Sequence, residues 1–171
     1  NQQGDVDEEN EITDEHRILV VDPGFFSLDW AFVHNGQLQR QSSGTSVKAT
    51  SVLLEQTGIL IAEEHGAKPT IEALENAIRN GKKSILLMGQ RVDIYPYLEK
   101  ASDALASVIA TSIQKSLRVE SMSPDVIVLV GGGARFFKKA IQMAFPKIRV
   151  VSPDEAVMSN ARGFWLMGAS E

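Results

Sequence analysis

Two short stretches carry residue types and spacings that could do chemistry. In "DPGFFSLDW", residues 22–30, a carboxylate follows an apolar run and is itself followed at once by a proline and a glycine. Pro23 has no N–H, so the backbone donors start at Gly24 and continue through Phe25, Phe26 and Ser27. Successive turn N–H groups with a hydroxyl can cradle phosphate oxygens. Asp22 would repel that phosphate unless Mg²⁺ and its waters stood between them. It could then order an attacking water or hold the ion's water shell. The same residues also suit an ordinary hairpin in which Asp22 caps the turn. In "VLVGGGARFF", residues 128–137, Gly131, Gly132 and Gly133 lie between an apolar strand and a helix that opens at Ala134. Glycines there let backbone pass close to a flat or charged ligand, although one or two would serve a plain tight turn. Neither stretch is a Walker P-loop or a Rossmann fingerprint, because the GxxxxGK[ST] lysine and the GxGxxG spacing are both missing.

These stretches need particular elements to carry them. "RILVV", residues 17–21, reads as a buried strand ending at Asp22. "LDWAFVHNG" alternates and ends in Asn35-Gly36, a strong hairpin signal, and "QLQRQSS" reads as a third strand. Residues 45–66 take a helical period through Val47, Leu53, Leu54 and Ile61, and 70–80 form a short helix with Thr70 as N-cap and Gly81 after its end. "SILLMGQRVDI" suggests a strand pair or a strand and loop. The longest helix runs over 96–119, with Leu98, Ala101, Leu105, Val108, Ile109 and Ile113 on one stripe. Val126–Val130 is apolar throughout, as in a parallel strand covered on both faces. A helix over 134–145, the strand "IRVVS" and a last helix to about 167, opened by a capping box from Ser152 to Glu155 with Pro153, complete the chain. The order β-β-β-α-α-(β)-α-β-α-β-α predicts an α/β fold. Its mixed sheet is an antiparallel meander followed by βα units, with helices on both faces. Ribonuclease H-like domains have this order, and so does each half of the actin and sugar-kinase ATPases.

Composition bounds the function. With 171 residues, 43% apolar and 23% charged, the chain suits one soluble domain with a sizeable core, expected over 17–171. There is no cysteine, which excludes disulfides and thiolate metal sites and suggests the cytoplasm. His16, His34 and His65 show no ligand spacing and read as surface residues. No apolar run approaches the ~20 residues of a membrane helix, and the polar, acidic start does not read as a signal peptide. Seven acids precede Arg17, so residues 1–16 read as a solvated flexible leader, and the rest sets 15 acids against 17 bases. A near-neutral body gives no electrostatic case for direct nucleic-acid binding. The chain begins at Asn1 rather than methionine, as a piece of a longer protein would.

The residues also carry a family resemblance. D-x-G-x-x-[T/S]-x-D, met by Asp22, Gly24, Ser27 and Asp29, resembles the second phosphate motif of the actin ATPase superfamily. "VGGGA", Val130 to Ala134, resembles its adenosine motif, and "SNARGFWLMG", residues 159–168, is similar to the closing helix of plasmid-segregation actins of the ParM/StbA type. The resemblance spans about residues 17–169 and implies the second half of an actin-like, filament-forming ATPase. Such a protein binds ATP or GTP with Mg²⁺ in a cleft against a preceding N-terminal half, and the half alone would be inactive. It further implies that Asp22 orients the water and acts on the metal through water. Gly24, Phe25, Phe26, Ser27 and Asp29 would lie at the phosphates, and Gly131, Gly132, Gly133 and Ala134 at the adenosine. Its partners would be further copies in a filament and a DNA-binding adaptor, with no membrane and no direct nucleic acid. Phe25 and Phe26 depart from the small residues usual in that turn and crowd the phosphate approach. Two alternatives remain: a ribonuclease H-like nuclease using Asp22 and Asp29, and a non-hydrolysing actin-like scaffold. Trp30, Trp165, Phe136 and Phe137 read as core or interdomain packing, and Lys138 and Lys139 as a solvated helix face.

Overall fold

The computed structural model describes residues 12, 15–119, 121–153, 155–159, 161 and 165. Its first three strands, β1 (Ile18–Pro23), β2 (Leu28–His34) and β3 (Gln37–Ser46), form the expected meander. The β2–β3 turn is Asn35-Gly36, with φ of 51° and 69°, the double positive φ that a two-residue hairpin of this twist requires. After helices α1 (Thr50–His65) and α2 (Ile71–Arg79), strands β4 (Ser84–Leu87) and β5 (Gln90–Asp93) make a separate two-stranded sheet. Helix α3 (Tyr95–Val119) leads to β6 (Val126–Leu129), α4 (Ala134–Ala144) and β7 (Arg149–Val151). The main sheet has the order β3-β2-β1-β6-β7, with β1, β6 and β7 parallel and the meander antiparallel. The mixed α/β sheet is therefore as expected.

Register sets the core. Leu19 and Val21 stand opposite Phe32 and Trp30 on one side and Ile127 and Leu129 on the other, so all six side chains share a face. Leu53, Leu54 and Ile61 of α1, Ile109 and Ile113 of α3, and Phe137 and Ile141 of α4 close over it in one buried cluster. On the opposite face Ile18, Val20, Ala31, Val33 and Val128 are half-buried. Part of the expected last helix falls outside the described residues, as does most of the leader. Ala156–Met158 is a 3-10 turn. The Ser152 hydroxyl donates to the Leu129 carbonyl at 3.1 Å and ties β7 to β6, while residue 154 of the expected capping box lies outside the described residues.

Other expectations shift for identifiable reasons. Helix α1 starts at Thr50, because β3 runs on to Ser46 and leaves Val47 exposed in the connection. Between Trp30 and Phe32 the β2–β3 register slips, and the Ser43 hydroxyl stitches the bulge. It accepts from the Phe32 N–H at 3.0 Å and donates to the Gln39 carbonyl at 2.8 Å. Thr70 caps α2 as expected, accepting from the Ala73 N–H at 3.1 Å. On the α3 stripe Leu98, Ala101, Leu105, Ile109 and Ile113 are buried, whereas Val108 is exposed. His65 is no free surface residue: its Nε2 lies 3.0 Å from the Tyr97 hydroxyl, joining the end of α1 to the start of α3. Among the described residues no helix is long and apolar enough to cross a membrane.

A clamp closes the amino-terminal ends of β1 and β6. The Arg17 N–H and Nε donate to Asp125 Oδ2 at 2.9 and 3.0 Å, Nη2 donates to Oδ1 at 2.6 Å, and the Asp125 N–H returns a bond to the Arg17 carbonyl at 2.8 Å. The bonds from the Arg17 side chain, then that from its backbone, hold the Asp125 carboxyl down from the ordinary 3.8 to about 2. A depressed acid stabilises the fold fully above its unfolded value and loses that contribution as pH falls through its folded value. Asp125→Asn should therefore cost up to ~1 kcal/mol near neutral pH, a modest figure because the pair is partly exposed. The deficit should shrink below pH 3.8 and vanish near about pH 2. Urea midpoints of both proteins across that range test this; a deficit unchanged at acid pH would mean that shape, not charge, holds the clamp.

Candidate functional site

Because β1 and β6 are parallel neighbours, their carboxyl ends open side by side at one edge of the sheet, where open α/β sheets bind ligands. Strand β1 does not stop at Asp22: Asp22 pairs with Asp29 and Pro23 with Leu28, and the turn proper is residues 24–27. That corrects the expected donor set. The Gly24 N–H is turned inward, to the carbonyls of Ser27 at 2.8 Å and Asp22 at 3.0 Å. Among the described residues the N–H groups of Phe25, Phe26 and Ser27 have no protein acceptor. The turn's carbonyls face α1, where Gly24 accepts from the Thr50 N–H at 3.1 Å and Phe25 from the Ser51 N–H at 2.9 Å. Those bonds satisfy two of the helix's orphan donors, and no side chain caps it. Phe25 is half-buried against the core, while Phe26 is 80% exposed, its ring edge-on to Phe25 at 4.9 Å.

The two acids stand opposite each other on adjacent strands, an arrangement that is unfavourable for like charges unless something relieves it. The Ser27 hydroxyl donates to Asp29 Oδ2 at 2.6 Å. Among the described residues no group of three or more His, Asp or Glu comes together that could hold a metal. A two-metal nuclease needs three or four converging carboxylates, so these residues do not supply that alternative. Two carboxylates do suit a Mg²⁺ ion that keeps most of its waters and takes its other ligands from phosphate.

The glycine run divides by role. The Val130 N–H donates to the Val21 carbonyl at 2.9 Å and so extends the β1–β6 contact. Gly131 follows with φ +78°, its N–H on the Ala156 carbonyl at 2.7 Å. A Cβ there would fall 1.9 Å from Asp22 Oδ1. The Gly133 N–H donates to the Pro23 carbonyl at 2.9 Å, and a Cβ on Gly133 would lie 2.5 Å from that oxygen. Gly132 is exposed, and a Cβ there would meet nothing within 4 Å. So Gly133 is required by close contact with the backbone of β1, Gly131 is favoured by its positive φ and lies against the Asp22 carboxylate, and of the three only Gly132 presents bare backbone to open space. Ala134 is 4% exposed at the start of α4.

A cavity of about 290 Å³ lies where these pieces meet α2, walled by Phe25, Thr50, Glu75, Arg79, Gly132 and Arg135 among others. That is at the low end for ligand pockets (~300–1,000 Å³). Gly132 also borders a second hollow of about 570 Å³ with Arg79, Arg135 and Lys138. Glu75 and Arg79 form an ion pair one turn apart on α2. The Arg135 guanidinium lies over the Phe136 ring at 4.7 Å from its centroid and donates to the Ile78 carbonyl at 3.3 Å. Among the described residues the buried Thr50 hydroxyl finds no hydrogen-bond partner. Sequence reasoning missed Thr50, Glu75, Arg79 and Arg135. The only available signal, a Glu-Arg pair at i, i+4, looks the same on any solvated helix face. Trp30 and Phe137 are core as expected, Phe136 borders the cavity, and Trp165 is 71% exposed. Lys139 pairs with Glu99 at 3.0 Å on the surface.

A family model described as archaeal actin homologue MreB-like, C-terminal, matches residues 20–143. Among solved structures, an archaeal actin homologue superposes with a TM-score of 0.78 at 17% identity, over 92% of this chain and 49% of its own. The same archaeal protein is also known as a complex with ADP. A ParM filament from Clostridium botulinum gives 0.74 at 18% identity over 94% of this chain and 47% of its own. The Bacillus thuringiensis ParM with ADP gives 0.65 at 17% identity over 93% and 48%. The chain thus spans about half the length of the solved structures it matches. No curated protein matches it.

The division within the glycine run is testable by stability alone. Gly132→Ala should be neutral or stabilising by up to ~1 kcal/mol, because it only restricts the unfolded chain. Gly133→Ala should cost ~1–3 kcal/mol through its collision with the Pro23 carbonyl. Urea unfolding without ligand measures both, and equal effects would show that the run has no such division.

Proposed function

This chain belongs to the archaeal MreB-like actin homologues, matching the C-terminal part of that family, and we propose that it is the nucleotide-binding second half of an actin-like, filament-forming ATPase. The observation that carries this reading is the meeting of the two motifs. The turn with unused N–H groups at Phe25, Phe26 and Ser27 and the exposed Gly132 border one edge of one sheet, with a cavity between them. ATP or GTP would lie with its phosphates at residues 24–27 and its base and sugar in the cavity against Gly132, beside Glu75, Arg79 and Arg135. Mg²⁺ would supply charge neutralisation at the phosphates. Asp22, opposite Asp29, would hold the ion's waters and orient the one that attacks. A preceding N-terminal half would form the other wall of the cleft. The likeness to ParM proteins supports self-assembly. Plasmid segregation in the cytoplasm, through a DNA-binding adaptor rather than direct contact with nucleic acid, is the biological role we infer from it.

Phe25 and Phe26 favour a second reading, a scaffold that binds nucleotide without hydrolysing it, since their rings stand beside the phosphate turn. Calorimetric titration of the full-length protein with ATP and GTP, with Mg²⁺ present, tests the binding claim. Gly132→Val should weaken binding by tenfold or more, ~1.4 kcal/mol. Asp22→Ala should leave the unfolding midpoint nearly unchanged and lower turnover by ~10²-fold or more. Binding without turnover in the unaltered protein would select the scaffold, and undiminished affinity in Gly132→Val would remove the glycine run from the site.

A further inference from the structure

One contact in the site has no counterpart in either motif alone: the carboxylate of Asp22 lies where the side chain of residue 131 would be. We propose that Gly131 is a positioning residue, whose missing side chain creates the space that fixes the direction of the Asp22 carboxylate. An added Cβ would sit 1.9 Å from Oδ1 and 3.1 Å from Cγ of Asp22, the first far inside any van der Waals contact. Neither backbone can simply back away, so an added Cβ would turn the carboxylate itself. The backbone of Asp22 is held in the strand pair with Asp29. The loop at 131 is pinned on three sides: Val130 donates to Val21 at 2.9 Å, Gly131 to Ala156 at 2.7 Å and Gly133 to Pro23 at 2.9 Å. Two of those bonds flank Asp22 in sequence. The piece of chain that borders the cavity is therefore also the wall that aims the acid, so a change at 131 reaches the chemistry without touching the ligand. This deepens the functional reading and rests on the role given there to Asp22.

The test separates steric positioning from backbone strain. Gly89, in the β4–β5 turn, has φ +80° against +78° for Gly131, and a Cβ on it meets nothing within 4 Å. Gly89→Ala therefore carries the same φ strain without the collision. In the full-length protein without nucleotide, Gly131→Ala should lower the urea midpoint more than Gly89→Ala does, and adding Asp22→Ala should restore the excess. Should Gly131→Ala fail to fold, folding of the Asp22→Ala/Gly131→Ala double variant is itself the rescue, and Gly131→Asn, which tolerates positive φ, replaces it in the kinetic arm. There Gly131→Ala should lower kcat for nucleotide hydrolysis by ~10²-fold with KM nearly unchanged, as misplacement of a reacting group does, while Gly89→Ala should leave kcat alone. Normal kcat in Gly131→Ala with kcat lost in Asp22→Ala would overturn the inference and leave the functional reading standing. Restored stability in the double variant with normal kcat in Asp22→Ala would do the reverse, keeping the contact and removing the acid from the chemistry. Absence of any rescue by Asp22→Ala would also overturn the inference.

Discussion

The hydrogen bond from the Gly133 N–H to the Pro23 carbonyl, 2.9 Å long, is the constraint on which the site depends. It requires the link between β6 and α4 to lie directly on the end of β1, closer than any side chain at 133 would permit. Parallel pairing brings the two strands alongside, but pairing alone ends at Val21 and Leu129. The bonds made by Val130 and Gly133 carry the contact past the strands and into the two loops. Pro23 suits this position because its missing N–H is not needed, while its carbonyl is free to turn toward Gly133. The clamp of Arg17 on Asp125 secures the opposite end of the same strand pair, so β1 and β6 are fixed at both ends.

What was legible in the sequence follows from how local each signal is. The Asn35-Gly36 hairpin, the Thr70 cap and the all-apolar β6 depend on neighbours within a few residues, and each is where the pattern puts it. The start of α1 was misplaced because Val47 fits a helical period, whereas the pairing of Ser46 with Leu28 decides that the strand continues. No local pattern could announce the β2–β3 bulge, since it is a property of two strands together. Val108 matched the α3 stripe, yet among the described residues it is exposed, at the border of the stripe rather than its centre. In the site, the turn at 24–27 and the glycine run were visible as motifs. Glu75 and Arg79 were not, because α2 reaches the cavity only through tertiary packing.

The structure also changes what the glycines mean. Three in a row suggest one continuous flat surface for a ligand. Yet Gly133 is glycine because the backbone of β1 fills the volume its side chain would need, and Gly131 is favoured by its positive φ and lies against the Asp22 carboxylate. Packing and ligand approach therefore alternate along three residues, and the central one alone keeps the freedom that a ligand surface requires. The two phenylalanines divide in a similar way. Phe25 turns into the core and borders the cavity, so it replaces a small residue without blocking the turn's exposed N–H groups. Phe26 stands in solvent among the described residues.

The same turn links the site to the helix beside it. The carbonyls of Gly24 and Phe25 accept from the first N–H groups of α1, which no side chain caps. A peptide that accepts on its oxygen is polarised to donate more strongly on its nitrogen, and hydrogen bonds in series strengthen one another. The peptide joining Phe25 to Phe26 is in that position, with its carbonyl on α1 and its N–H unused. A phosphate on that N–H would extend a chain of bonds from the ligand through one peptide into the helix end, adding to the positive field that a helix amino terminus already provides. The two aromatic side chains leave this path untouched, because it runs wholly through backbone. A turn with bulky side chains would in this way still offer backbone donors to an anion.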